Sequence, residues 1–177
     1  MLTGCFRLAV LDFASKVRSV VQRYQESTTD THWVDLTVAP GDYTVRADPD
    51  RIDQVLTNLL ENAAKYSPDD DRIVLDLCAD DREIRLSVQD SGIGLPPGSD
   101  RGIFEPFERA PNALQHGLPG LGLGLYICRG LIERHGGQIW AESEGEGAGT
   151  TFFVTLPTLG HAPDLNATHP IPLQFGS

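Results

Sequence analysis

Cysteine is scarce in this sequence. The 177 residues hold 3, at Cys5, Cys78 and Cys128. No two stand at CxxC spacing and the count is odd, which excludes a zinc ribbon and argues against a disulfide framework. Such usage fits a reducing compartment. Basic residues are also few: 14 Lys+Arg against 25 Asp+Glu leave a formal net charge of −11. Nucleic-acid binders need a basic footprint and anionic membrane surfaces attract basic segments, so this balance speaks against both. Long apolar runs are missing; nothing approaches the roughly 18 residues that span a bilayer. Residues 1–13 hold only Arg7 as a base, reach Asp12 early and lack a small-residue cleavage pattern, so no signal peptide is read there. What is present is ordinary for a folded domain. Hydrophobic residues are 40% and charged ones 22%, in a length that fits one domain and buries a core without staples.

Periodicity orders the chain. Residues 8–11 suggest a short strand, and Asp12 caps a helix over 13–24 with Phe13, Val17, Val20 and Val21 on one face. Residues 26–31 read as a polar loop and 33–38 as an alternating strand. Pro40-Gly41-Asp42 is a turn, and 43–46 are a further short strand. The next helix is the clearest. Asp48 is its N-cap, Pro49 suits the first helical position, and Ile52, Val55, Leu56, Leu59, Leu60 and Ala63 form its stripe. Ser67-Pro68 ends it. Ile73-Leu75-Leu77 and Ile84-Leu86-Val88 alternate about a polar turn at 80–82, which predicts a hairpin with one buried face. Residues 91–113 read as irregular, and 112–124 as Gly/Leu-rich and mobile. A helix over 123–135 ends at Gly136-Gly137, and a second hairpin pairs 138–143 with 150–156. After Pro157 periodicity stops, so 1–157 is taken as the domain and 158–177 as a disordered tail.

Three segments carry chemistry. Asn58, Asn62 and Lys65 lie at i, i+4 and i+7, on one helix face opposite the core leucines. An amide oxygen suits a hard cation such as Mg²⁺, and an ammonium pairs with phosphate oxygens; alone, this face also reads as a plain solvated one. In Asp90-Ser91-Gly92-Ile93-Gly94 a carboxylate emerges where a strand stops, and glycines let backbone approach a ligand. Gly120, Gly122 and Gly124 open the helix that follows, leaving amides and a positive dipole end for phosphate. Neither a Rossmann nor a Walker spacing is present. The global acidity does not exclude a nucleotide, because amides and a metal act locally.

Their order is far more specific than any one of them. The Asn-Asn-Lys helix, Asp-Ser-Gly-Ile-Gly, Ile-Phe-Glu-Pro-Phe-Glu-Arg at 103–109, the GxGxG helix start and Gly-Thr-Thr-Phe at 149–152 occur in sequence. This resembles the catalytic, ATP-binding domain of bacterial sensor histidine kinases, within the superfamily that includes gyrase, Hsp90 and MutL. The resemblance spans about residues 10–157. It implies an α/β two-layer sandwich: a mixed sheet of about five strands with helices on one face.

It also implies roles. Asn62 would be the Mg²⁺ ligand with Asn58 beside it, and Lys65 would reach the phosphates of ATP. Tyr66 would pack on the adenine and Asp90 bind its amine. Gly92, Ile93 and Gly94 would shape that pocket. Phe104 and Phe107 would anchor the base of a lid, and Arg109 would reach the γ-phosphate. Gly120, Gly122, Leu123 and Gly124 would close the lid over the phosphates. Thr150 or Thr151 would complete the adenine water network. Two positions depart from the family pattern: Gly102 stands where Arg is frequent, and Leu121 where a small polar residue is common.

The 5 histidines are followed by Trp33, Gly117, Gly136, Ala162 and Pro170, none an acceptor setting. His135, near a helix C-terminus, suits a cation there. The resemblance therefore implies a kinase core that phosphorylates a histidine on a separate dimerisation domain, with a response regulator downstream. Nucleic acid and direct membrane contact are not expected. The isolated domain is expected to be monomeric and cytoplasmic. An ATPase or serine kinase of the same superfamily is the alternative, or a non-catalytic nucleotide-binding scaffold. Those enzymes tend to carry Glu where Asn58 stands, and Glu61 lies on another face.

Overall fold

The computed structural model describes residues 6–27, 33–67 and 72–160. Cys5, His32, the loop at 28–31, the stop at Pro68, His161, His169 and the tail from 161 lie outside the described residues. The elements run β1 (Ala9–Asp12), α1 (Phe13–Ser27), β2 (Trp33–Val38), β3 (Thr44–Ala47), α2 (Pro49–Tyr66), β4 (Arg72–Ala79), β5 (Glu83–Asp90), a 3-10 turn (Gly102–Phe104), α3 (Pro111–Gln115), α4 (Gly124–Arg134), β6 (Gln138–Glu142) and β7 (Thr150–Pro157).

β2, β4, β5, β7 and β6 form a five-stranded mixed sheet in that order. β2 and β4 are parallel, and the other neighbours are antiparallel. β1 and β3 make a separate antiparallel ribbon. α1, α2 and α4 cover one face. Ile73, Leu75 and Leu77 of β4 and Ile84, Leu86 and Val88 of β5 point to that face and are buried with the α2 stripe. On the other face Trp140 and Phe153 stack with ring centroids 5.0 Å apart. This is the α/β sandwich that the resemblance implied, and the alternating strands supply its one buried sheet face. No helix of the described residues is long and apolar enough to cross a membrane.

Local chemistry sets the ends. Asp48 Oδ1 accepts from the Asp50 and Arg51 amides at 3.0 and 3.2 Å, so α2 starts where its cap was expected. Asp12 caps α1 the same way, accepting from the Ala14 amide. At the β4–β5 turn Asp80 Oδ1 accepts from the amides of Arg82 and Glu83. The register then sets Asp90, the last residue of β5, beside Thr150, the first of β7.

Three expectations change. α3 occupies part of the segment read as irregular, with Pro111 at its first position. Ala110, Asn112 and Ala113 are buried, so the front of the supposed mobile stretch is anchored. Contacts also run past residue 157: the Thr158 amide donates to Arg82 O, and the Leu159 amide to Thr44 O. His135 is the third. It is no exposed cation at a helix end but a buried bridge. Nδ1–H donates to Leu131 O at 2.7 Å, and Nε2 accepts from the Asp48 amide at 2.9 Å. Nε2 can accept only when the ring is neutral. Burial accordingly pushes the His135 pKa down from its ordinary value.

That depression fixes a sign. An unfolded histidine gains its proton near pH 6.5, while the folded one resists it. The unfolded chain binds more protons in that window, so the stability His135 supplies is present above pH 6.5 and is lost as pH falls through the folded value. The melting midpoint is expected to drop between pH 7 and 5. His135→Gln should flatten that drop and cost about 1–3 kcal/mol at pH 7 through the unmet buried groups. An unchanged pH profile in the variant would contradict the bridge.

Candidate functional site

A cavity of about 290 Å³ opens between α2, the end of β5, the 105–124 segment and the start of α4. One wall is the polar face of α2: Asn58, Asn62, Lys65 and Tyr66 all line it. The helical period that buries Leu59 and Ala63 turns these four outward together. Asn62 Nδ2 donates to Asn58 Oδ1 at 3.1 Å. That bond leaves Asn62 Oδ1 as the free oxygen of the pair. Lys65 Nζ lies 4.8 Å from the Tyr66 ring centre and 3.4 Å from its hydroxyl. A β-carbon on Gly120 would come within 2.6 Å of Lys65 Nζ, so the lid backbone rests against this ammonium.

Asp90 stands at the inner end and is only 3% exposed. Its Oδ1 accepts from the Gly92 amide at 2.9 Å, the Thr150 amide at 3.2 Å and the Ser67 hydroxyl at 3.3 Å. All three bonds fall on one oxygen, and Oδ2 receives none of them. Burial pushes the Asp90 carboxyl above its usual range, against the pull of those hydrogen bonds. The result is a fixed, desolvated acceptor in a cavity whose floor is the apolar Leu95, Ile103 and Phe152. That arrangement suits a flat ring with an amine at its edge.

The opposite end is built from backbone. α4 begins at Gly124, where a β-carbon would come within 2.6 Å of Asn58 Nδ2. Glycine there lets Asn58 and the positive end of α4 share one corner. Gly122 takes φ 70°, and its carbonyl accepts from the Phe107 amide at 3.0 Å. Leu123 lines the cavity beside them. Arg109 also lines it; its guanidinium donates to Leu118 O, and its Nε is buried with no hydrogen-bond partner among the described residues.

Of the residues singled out in the sequence, Asn58, Asn62, Lys65, Tyr66, Asp90, Ile93, Gly94, Arg109, Gly120, Gly122, Leu123, Gly124 and Thr150 meet in this cavity. Four do not line it: Gly92, Phe104, Phe107 and Thr151. Phe107 is 72% exposed. Its left-handed φ of 66° and its bond to Gly122 turn the ring to solvent, so it lends the lid its backbone, while Phe104 packs edge-on against Phe152. Gly92 works behind the wall: a β-carbon there would lie 1.9 Å from Tyr66 O. Strand alternation puts Thr150 inside and Thr151 on the far face, which separates two residues that composition could not.

Two polar residues here carried no motif. Ser143 Oγ accepts from the Leu95 amide at 3.0 Å and donates to Gly149 O at 2.6 Å, bracing the loop after Asp90. Asn112 holds the same loop from α3. Neither sits in a periodic or spaced pattern, so only the fold reveals them. Among the described residues no group of three or more His, Cys, Asp or Glu side chains is placed to hold a metal. Asn62 Oδ1 remains as a single protein oxygen, which fits Mg²⁺ completed by phosphates and water.

The family described as histidine kinase-, DNA gyrase B-, and HSP90-like ATPases matches residues 47–160. The chain belongs to this family. The match runs from the cap of α2 past the end of β7 and so contains the whole cavity. The sensor protein kinase WalK of Staphylococcus aureus is 35% identical over 150 residues, 84% of this chain and 24% of WalK. The chain thus spans about a quarter of that relative's length. Full-length ShkA in complex with AMPPNP superposes with a TM-score of 0.73 at 27% identity, over 90% of this chain and 33% of that one. Histidine kinase ThkA in complex with the response regulator TrrA does so with a TM-score of 0.71 at 28% identity, over 86% and 42%. The sandwich described above is therefore the catalytic-domain fold of this ATPase and histidine-kinase family.

Proposed function

We propose that the chain binds Mg·ATP in this cavity and donates the γ-phosphoryl group to a histidine on a separate dimerisation domain, in two-component signalling. The observation that carries it is the meeting in one cavity of two ends. Asp90 is a buried acceptor for the adenine amine. Opposite it stand Asn62, Lys65, Arg109 and the glycine-opened start of α4, all suited to a triphosphate. ShkA's complex with AMPPNP supports an ATP-type ligand, and ThkA's complex with TrrA supports a response regulator downstream.

In this reading Tyr66 and the apolar floor sandwich the adenine, and Thr150 rather than Thr151 serves the Asp90 end. Lys65 and Arg109 spread charge over the phosphates, and the Gly120–Gly124 backbone covers them. Asn62 would hold Mg²⁺, which when bound would neutralise phosphate charge. Transfer is then mostly positioning, since a neutral imidazole already carries the attacking lone pair. Asn58 stands where a hydrolase or serine kinase would need a base, and an amide does not titrate near neutral pH. Glu61 is exposed and does not line the cavity. Free Cys78 and Cys128 suit the cytoplasm, where this unit acts as a monomer and leaves dimerisation to its partner.

γ-Labelled ATP tests the reading. The lone chain should not label itself and should release phosphate very slowly. With its cognate dimerisation domain it should place acid-labile label on that domain's histidine. Robust phosphate release alone would favour an ATPase, and acid-stable self-labelling a serine kinase. Asn62→Ala should lower Mg·ATP affinity by about 1.5–3 kcal/mol, roughly 10- to 150-fold, and stop transfer. Binding of ATP in chelator should be nearly unchanged. Equal Mg·ATP affinity by titration calorimetry would remove Asn62 as the ligand.

A further inference from the structure

The loop that follows Asp90 is gripped from two sides. On the fixed side Ser143, in the β6–β7 turn, accepts from the Leu95 amide, and the Gly147 amide donates to Ile93 O at 2.8 Å. On the other side the grip comes from α3, inside the segment that leads to the lid glycines. Asn112 is 3% exposed, and its Nδ2 donates to Gly94 O at 2.9 Å and to Ile93 O at 3.2 Å. Its Oδ1 accepts from the Ala113 amide at 3.0 Å. Every polar atom of this side chain is used, and two of the bonds cross from lid to loop. Ile93 and Gly94 themselves line the cavity.

The lid end of this link is a closed unit. The His116 amide donates to Asn112 O, the Leu118 amide to Ala113 O, and Arg109 donates to Leu118 O. A displacement of Gly94 therefore reaches residues 109–118 through one buried amide. Ser143 cannot pass it on, because its partners lie outside the lid.

We infer that Asn112 is a positioning residue that couples the base loop to the lid, so that filling the base end of the cavity alone steadies the lid. The inference rests on the proposed ATP site. It predicts a response to a ligand that has no phosphate to touch Gly120–Gly124.

Adenosine is that probe, and hydrogen exchange of the 113–118 amides is the readout. In the natural chain adenosine should slow these amides about fivefold or more, the lower end of a typical coupling. In Asn112→Ala, adenosine should still bind by calorimetry yet leave their exchange unchanged. Asn112→Leu keeps the packed volume without the donor and carries the same test if the alanine variant does not fold. Ser143→Ala loosens the loop from its fixed side, so there adenosine should bind more weakly but still protect the lid at saturation. A purely structural Asn112 would raise exchange with and without adenosine and leave their ratio intact. That result, or equal protection in natural and variant chains, overturns the coupling. Failure of adenosine to bind the natural chain would instead remove the base-site reading, and the coupling with it.

Discussion

Asp90→Asn will weaken ATP binding by about 1.5–3 kcal/mol, roughly 10- to 150-fold, and bring GTP binding up toward it. The geometry separates the two effects. Oδ1 of Asp90 is committed to Gly92, Thr150 and Ser67. The amide oxygen of asparagine can take over all three bonds, so the local fold survives. The change falls on the other atom, where a charged acceptor becomes an N–H donor. Adenine offers an amine at its edge and loses its partner; guanine offers a carbonyl and gains one. In the natural chain that carbonyl would face a desolvated carboxylate, a mismatch that excludes GTP strongly. Competition of both nucleotides against a fluorescent ATP analogue measures the switch. Comparable competition by GTP in the natural chain would take Asp90 out of this role.

The same residue gives a pH test with two opposite signs. Burial holds the Asp90 carboxyl above its usual range. In the window between the ordinary and the raised value the folded chain holds a proton that the unfolded one has lost. Asp90's contribution to stability therefore falls as pH rises through that window. ATP affinity runs the other way, because a protonated carboxyl no longer offers the charged acceptor. Mild acid should release ATP at a pH where ordinary carboxylates are still ionised, and Asp90→Asn should abolish that step.

Sequence and fold agree where the signal is local and repeated. Asp48-Pro49 and six spaced apolar residues determine α2 by themselves, and the alternating Ile, Leu and Val pairs determine β4 and β5. That is enough to put Asn58, Asn62, Lys65 and Asp90 on one side of the sheet. What was not legible depends on contacts between distant segments. α3 is five residues long and has no period to detect. His135 looked like a terminal cation until the Asp48 amide, 87 positions away, required its ring to be neutral. Phe107 shared a motif with Phe104, yet a single left-handed φ sends one ring out and leaves the other in. Thr150 and Thr151 differ only by strand parity, which needed the register of β7 against β5. Chemistry-bearing residues were thus readable as types, while their bracing by Ser143 and Asn112 was not.

Gly92→Ala is expected to do more damage than its one methyl group suggests. Gly92 does not line the cavity, and its φ is not left-handed, so neither contact nor backbone freedom explains it. Space does. A β-carbon would stand 1.9 Å from Tyr66 O, 2.5 Å from Tyr66 C and 2.6 Å from Ser67 Oγ. Two of these are backbone atoms at the end of α2, which cannot rotate away. Either that helix end or the loop must move. Movement breaks the bond from the Ile93 amide to Tyr66 O and the bond from the Gly92 amide to Asp90 Oδ1. Tyr66 and Asp90 are the two walls of the base end, so both shift together. Overpacking should cost about 1–3 kcal/mol of stability. A displacement of about 1 Å at the base should slow phosphoryl transfer about 10²-fold. Gly130→Ala is the control, since nothing lies within 4 Å of a β-carbon there. In the middle of α4 it should raise stability by up to about 1 kcal/mol and leave ATP binding alone. Melting curves and titration calorimetry on both variants decide it. A Gly92→Ala chain that binds ATP as the natural one does would show that the loop yields freely, and that the base pocket is not built on this contact.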